Sequence, residues 1–203
     1  MFYQGSLLAG DAASVPADGD ARISRIQLDE RSWIDHSPGW LRGADTVFDQ
    51  LVTTLPWRQR TDIAMYDRRV DEPRLTYWWH AFGTDPVPLP VLGDIRRVLG
   101  RRYGKPFDAI GFNLYRDGND SVAWHGDRHR HHVVDPIVAI ISVGQPRPLR
   151  IRPRGGGPGR SWSLGHGDLF VMGGRCQHDW EHAVPKVAHA GPRMSITYRH
   201  GAR

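Results

Sequence analysis

Arg193-Met194-Ser195-Ile196-Thr197-Tyr198-Arg199, near the end of a 203-residue chain, is the stretch whose reading decides the fold. Strict alternation puts Arg193, Ser195, Thr197 and Arg199 on one face of a strand and Met194, Ile196 and Tyr198 on the other. The apolar face belongs on a core. Two guanidinium groups on the opposite face need anions, unless that face is solvated and the arginines are merely exposed. Upstream, Ile110, Phe112 and Leu114 alternate with Gly111, Asn113 and Tyr115, which makes a second strand with one apolar and one hydrogen-bonding face. The two polar faces can line one pocket. A dicarboxylate chelating a metal at one end would be held there by Arg193 at its other end, with Tyr115, Asn113 and Arg199 as further donors.

Working outward, short apolar runs punctuated by Gly and Pro predict strands at Ile110 to Tyr115, Ile137 to Val143, Leu149 to Arg152, Ser161 to Leu164, Asp168 to Met172 and Arg193 to Arg199. Before them, apolar residues at helical spacing predict two helices. One carries Val47, Phe48, Leu51, Val52 and Leu55 behind an Asp45 cap; the other carries Leu92, Ile95, Val98, Leu99 and Tyr103 and ends near Gly104. Asp11 to Asp20, with Pro16 and Gly19, reads as a loop or an ordered arm, and no internal repeat is visible. Helices first and strands afterwards make an α+β chain, with a double-sheet jelly roll as the natural architecture of the second part.

At 39% hydrophobic content the chain can bury one sizeable core and is short for two domains. Its net charge of +5 favours a polyanionic partner, although of 27 basic residues only Lys105 and Lys186 are lysines, and GC-rich coding would also enrich arginine. Cys176 is the only cysteine, which excludes an intramolecular disulfide and a thiolate cluster and suits a reducing interior. Met1 to Gly10 lacks a basic leader and a long apolar core, and no stretch approaches the roughly 18 apolar residues of a membrane span. A cytoplasmic location is expected.

The chemistry concentrates in His125-Gly126-Asp127 and the distant His182. Residues i and i+2 of a strand share a face, so His125 and Asp127 can converge on one metal, with His182 as third donor. Two imidazoles and a carboxylate suit Fe(II) with positions left open for a cosubstrate and O₂, which points to an oxygenase; the same set could hold Zn²⁺ with water. His166 and His178 are alternative donors, His166 in a Gly-rich turn and His178 beside the site. Arg152-Pro153-Arg154-Gly155-Gly156-Gly157-Pro158-Gly159-Arg160 has the look of a phosphate cradle, but no Gly-Lys-Ser/Thr follows, and a hairpin loop is the better reading. Cys176 reads as packing, and Trp78, Trp79, Trp124, Trp162 and Trp180 supply core volume or base stacking.

Taken in order, Asn113-Leu114-Tyr115-Arg116-Asp117-Gly118, Trp124-His125-Gly126-Asp127, Pro136-Ile137-Val138, Trp180-Glu181-His182 and Arg193 to Arg199 resemble the AlkB-type Fe(II)/2-oxoglutarate-dependent dioxygenases of alkylated nucleic-acid repair. The resemblance covers most of the chain. It implies a double-stranded β-helix (jelly roll) in which His125, Asp127 and His182 bind Fe(II) while Asn113, Tyr115, Arg193, Ser195, Thr197 and Arg199 surround 2-oxoglutarate, with O₂ as second cosubstrate. It also implies that N-terminal helices pack on one sheet. Met65 to Leu75, including Pro73-Arg74-Leu75, looks like the family's nucleotide-recognition lid, and Tyr77 to His80 resembles the aromatic segment leading into its base pocket.

Two departures stand out. Ser195 occupies a position where many relatives have Asn, and Arg128 one where DNA-repair relatives often carry an acid or amide. Arg128 and the following His129-Arg130-His131-His132 read as a phosphate-contacting loop or as a solvated turn. The expectation is therefore one domain over residues 1–203, with about 1–107 as extension, helices and lid and about 108–203 as the catalytic jelly roll. Its expected activity is oxidative dealkylation of bases in DNA or RNA, with Arg68, Arg69, Arg74, Tyr77, Trp79, Arg128 and Arg130 contacting the substrate. No membrane and no obligate protein partner is implied. The alternatives are a 2-oxoglutarate oxygenase of tRNA, protein or a small molecule, and a non-catalytic jelly roll that binds metal or nucleic acid.

Overall fold

Alternating apolar residues build two antiparallel sheets, and the computed structural model describes them through residues 12–16, 22–65, 68–127 and 133–201. The large sheet runs β1 (Ser24–Gln27), β2 (Ser32–Ser37), β11 (Asp168–Gly174), β8 (Val138–Gly144), β13 (Arg193–Arg199), β6 (Ala109–Tyr115) and β5 (Leu75–His80). The small sheet runs β10 (Arg160–Leu164), β9 (Arg147–Pro153), β12 (Trp180–Val184) and β7 (Val122–His125). A hairpin of β3 (Ile63–Met65) and β4 (Arg68–Val70) stands apart from both. All of these pairings are antiparallel. Two antiparallel sheets with few helices are the arrangement of a jelly-roll oxygenase.

The large sheet is buried on both faces, which is why β8 and β11 are mostly apolar, while β6 and β13 keep polar residues on the face toward the small sheet. On one side lie α1 (Ala44–Thr54) and α2 (Pro90–Tyr103), whose Phe48, Leu51, Leu92 and Ile95 join Ile110, Phe112, Met194, Ile196 and Tyr198 in one core. Tyr198 Oη donates to Leu92 O at 3.2 Å and ties α2 to β13. Between the sheets, Tyr115, Val138, Ile140 and Phe170 meet Leu149, Ile151, Leu164 and Val184 in a second core. Burying each large apolar side chain contributes about 1.5–3 kcal/mol, so two cores on opposite faces hold β8, β6 and β13 in a fixed register.

Several expectations change at element ends. Asp45 does not cap α1: Gly43, at φ 63°, is the N-cap, and Asp45 lies in the first turn with its carboxylate 3.3 Å from His166 Nε2. Glycine stands there because the left-handed region costs other residues strain. Gly104, at φ 61°, closes α2 as expected and donates its N–H to Gly100 O. Arg154 to Gly159 forms the hairpin loop between β9 and β10, not a phosphate cradle. The large sheet takes β1, β2 and β5 from before residue 108. Among the described residues no helix is long and apolar enough to cross a membrane.

Asp168 knots the entry to α1 to the end of the sheet. Its carboxylate accepts from Gly39 N at 2.9 Å and Gly165 N at 2.8 Å, and His36 Nε2 lies 3.5 Å away. Burial would raise the Asp168 pKa, but these hydrogen bonds hold it below the ordinary carboxylate range. Its stabilisation is therefore complete above about pH 4 and is lost as pH falls through the lower folded value. Asp168→Asn is expected to lower Tm at pH 7 and to flatten the fall of Tm between pH 5 and 2, read by calorimetry; an equally steep acid limb would contradict this role.

Candidate active site

The site lies between the sheets, where the polar faces of β6 and β13 look across at β7 and β12. β13 pairs Arg193 with Tyr115 and Ser195 with Asn113, so the side chains of both strands share one wall. A cavity of about 350 Å³ opens there, and Asn113, Tyr115, Arg193, Ser195, Thr197 and Arg199 all line it with His125, Asp127 and His182.

His125 ends β7, Asp127 follows two residues later, and His182 sits opposite on β12, directly paired with His125. One ligand atom from each lies within 4.8 Å of the others, and the two imidazole centroids are 4.3 Å apart. His125 Nδ1 lies 2.9 Å from Ala123 O; donation to that carbonyl leaves Nε2 as the lone-pair nitrogen, 3.6 Å from Asp127 Oδ1. Burial and the neighbouring His125 push the His182 pKa down to about 3, so this imidazole is neutral and able to coordinate at pH 7. Burial would raise the Asp127 pKa, yet the Arg199 charge and the hydrogen bonds around it hold the carboxyl well below the usual range. Two imidazoles and one carboxylate with open positions are a donor set that fits Fe(II).

Arg199 makes a two-pronged contact with Asp127, Nε to Oδ2 at 2.9 Å and Nη2 to Oδ1 at 3.1 Å, while its guanidinium lies 4.6 Å from the Trp78 ring centre. Asp127 N donates to Gln177 Oε1 at 3.1 Å, which fixes the backbone of the same loop from α3 (Cys176–Asp179). Gly126 is needed there, because a Cβ would come within 2.8 Å of Gln177 O and 2.5 Å of Arg154 Nη2. Arg154 Nε in turn donates to His178 O at 2.8 Å, so the glycine-rich hairpin loop braces the His-Gly-Asp turn.

At the far end, Arg193 is fully buried and its Nε donates to Ser142 Oγ at 3.1 Å. Its Nη1 has no partner, and no carboxylate among the described residues pairs with it. Burial lowers its pKa, with Tyr115 opposing that shift from 5.1 Å beneath the guanidinium. The chain thus presents a cation with an orphaned donor to a cavity that also holds metal-type ligands. That fits a dicarboxylate such as 2-oxoglutarate. Asn113 Oδ1 accepts from Arg74 Nε at 3.0 Å, which leaves the amide nitrogen's donors for the cavity. Ser195 Oγ and Thr197 Oγ1 share a hydrogen bond of 3.1 Å.

Residues expected to contact substrate divide. Arg74 lines the cavity, half-buried between Asn113 and Glu72. Arg69 lies on the surface and pairs with Asp62. Tyr77 and Trp79 belong to the opposite face: Tyr77 packs toward Phe112, and Trp79 is buried in the helix-side core with Nε1 donating to Asp85 O at 2.9 Å. The strand period explains the correction, since Thr76 and Trp78 take the cavity face and leave the odd residues to the helices. The side chain of Arg68, and Arg128 and Arg130 entirely, lie outside the described residues. His166 is structural, accepting from Gly144 N at 2.8 Å, and Cys176 is buried with its thiol pushed up to about 12 by burial.

Sequence reading left Trp78 between core volume and base stacking, and missed Gln177, Glu72 and Arg147. Arg147 is buried in β9 and donates to Asp117 O at 2.9 Å and to Asp120 O and Pro185 O at 2.8 Å, so it fixes the turn that feeds β7. Alternation from Thr76 through Trp78 could have flagged the tryptophan; nothing local marks Gln177 or Arg147.

A family model described as 2OG-Fe(II) oxygenase superfamily matches residues 83–199. The chain belongs to this superfamily. Within it the resemblance is to AlkB-type members. Alpha-ketoglutarate-dependent dioxygenase alkB homolog 3 of Bos taurus is 36% identical over 183 residues, covering 80% of this chain and 64% of the relative. The Homo sapiens protein of the same name is 34% identical over 183 residues with the same coverage. DNA oxidative demethylase ALKBH2 of Arabidopsis thaliana is 29% identical over 198 residues, 76% of this chain and 61% of its own. The chain therefore spans less than two thirds of the length of these relatives. Superfamily members work with Fe(II), 2-oxoglutarate and O₂, the three groups that the donor set and the orphaned guanidinium suit.

Gly111 offers a test of the wall. A Cβ there would stand 2.7 Å from Arg199 Nη1 and 3.0 Å from the Trp78 ring, so Gly111→Ala must shift the guanidinium whose Nε and Nη2 hold Asp127. Because such supporting contacts are worth roughly 10–100-fold in metal affinity, the variant is expected to bind Mn²⁺ at least about tenfold more weakly by calorimetry. Unchanged affinity would remove Arg199 from the support of the metal ligand.

Proposed function

We propose that this protein is an Fe(II)- and 2-oxoglutarate-dependent dioxygenase that removes alkyl groups from the bases of nucleic acid. The observation that carries the reading is the meeting, in one cavity, of a His-Asp-His donor set with a buried guanidinium for which no described residue supplies an anion. The names of the AlkB-type relatives support nucleic acid as the substrate class.

In this reading His125, Asp127 and His182 hold the iron. Arg193 takes the far carboxylate of 2-oxoglutarate through its unpartnered Nη1, with Tyr115, Asn113, Ser195 and Thr197 around it. Arg199 keeps Asp127 ionised and aimed. Bound iron with 2-oxoglutarate and O₂ supplies the oxidising power that hydroxylates an N-alkyl carbon as succinate and CO₂ form, and an N-hydroxymethyl product then loses formaldehyde. The chain's own task is to seat the alkyl carbon beside the metal and to exclude water. Trp78 walls the cavity on the side open to solvent, where an unstacked base would enter. The segment from Met65 to Leu75 acts as the nucleotide-recognition lid, with Arg68, Arg69, Arg128 and Arg130 meeting phosphates. Residues 1–107 and 108–203 then work as one catalytic unit, the first part supplying the lid and the helical support.

The test is formaldehyde and succinate release from methylated oligonucleotides, in DNA and RNA, single and double stranded. The expected result is nucleic-acid-dependent release of both, abolished in His125→Ala, Asp127→Ala and His182→Ala. Arg193→Lys keeps the charge but loses the planar fork, and is expected to raise KM for 2-oxoglutarate about tenfold or more, with Arg193→Ala worse. Succinate formation stimulated only by a protein or a small molecule would replace the substrate; full activity in any of the three alanine variants would sink the donor set.

A further inference from the structure

Glu72 is a buried carboxylate that the reaction as described does not use. It precedes Pro73-Arg74-Leu75 and lines both the active cavity and an adjoining hollow of about 710 Å³ that runs past Val122 and Val184. Oε1 pairs with Arg74 Nη2. Oε2 is buried and has no hydrogen-bond partner among the described residues. Arg74 cannot swing across to serve it, because its Nε is committed to Asn113 Oδ1 at 3.0 Å and its Nη1 to Ser121 O at 3.3 Å. The other carboxylate on the cavity wall, Asp127, is held by Arg199 beside the two imidazoles. An anionic acceptor kept dry without a donor is costly, and a ligand that brings the donor recovers that cost.

We propose that Glu72 sets which alkylated bases the site accepts, by taking a hydrogen bond on Oε2 from the exocyclic amino group of adenine or cytosine. The proposal rests on the dealkylation reading above. Adenine and cytosine present an amino donor where guanine and thymine present a carbonyl oxygen, and a carboxylate accepts from the first and repels the second. Alkylation at the ring nitrogen adds weight in the same direction. It leaves adenine and cytosine positively charged, which strengthens the amino donor, while the guanine and thymine counterparts stay neutral. A site built around a polar contact discriminates strongly against a substrate that leaves it unpaired.

Glu72→Gln tests this, since the amide oxygen can keep Arg74 while the amide nitrogen turns an acceptor into a donor. The variant is expected to lose about tenfold or more in kcat/KM on oligonucleotides carrying 1-methyladenine or 3-methylcytosine. On 1-methylguanine and 3-methylthymine it is expected to hold or gain, with KM for 2-oxoglutarate unchanged. An equal loss on all four bases would make Glu72 structural. A raised KM for 2-oxoglutarate with an unchanged base ratio would mean that it acts through Arg74 and Asn113 instead. Should the variant fail to fold, wild-type protein supplies the second measurement: deleting the amino group from 3-methylcytosine should cost a similar factor, and no cost would overturn the proposal. Wild-type protein that releases no formaldehyde from any methylated base would overturn the dealkylation reading itself, and with it the base to be read.

Discussion

A guanidinium buried without a counter-ion among the described residues is the constraint on which the rest of this structure depends. Arg193 sits between two sheets with a serine hydroxyl and a tyrosine ring for company and one donor nitrogen unmatched. Taking such a cation out of water costs several kcal/mol even after relaxation. The fold bears that cost because β13 is held on its other face by Met194, Ile196 and Tyr198, packed under both helices. The apolar half of the strand thus keeps the polar half in place, and in the proposed reading an anionic ligand completes it.

Arg199, six residues along the same strand, shows the contrasting solution. Its anion is Asp127, a residue of the chain, and the two-pronged contact makes the carboxylate a dependable ligand at neutral pH. In the proposed reading one strand therefore supports both ends of the reaction, the metal through Arg199 and the cosubstrate through Arg193. The segment proposed as the lid is joined to the same wall: Arg74 links Glu72 to Asn113, so the part of the chain that would meet a base touches the part that would meet 2-oxoglutarate.

Much of this was legible in the residues themselves. The alternation of Arg193 to Arg199 and of Ile110 to Tyr115 predicts which side chains share the cavity, because a strand sandwiched between a core and a pocket leaves no freedom in its period. The helices around Phe48 and Leu92 are equally plain from spacing. β5 was harder: Tyr77-Trp78-Trp79 is aromatic in both phases, so composition cannot say which face is which, and only pairing with β6 places Trp78 over Gly111. Arg147 and Gln177 act through contacts with backbone and loops distant in sequence, and a single sequence gives no signal for such contacts. Cap chemistry misled at Asp45, where the chain turns on a left-handed glycine instead.

The central claim is that one cavity holds iron and 2-oxoglutarate together, with the far carboxylate on Arg193. Anaerobic titration of the Fe(II)-loaded protein with 2-oxoglutarate tests it most directly, since chelation of Fe(II) by an α-keto acid produces a visible charge-transfer absorption. The account predicts that this band appears, saturates at one equivalent, and requires far more 2-oxoglutarate when Arg193 is replaced by Ala. No band in iron-loaded wild-type protein, or an identical titration without Arg193, would contradict it.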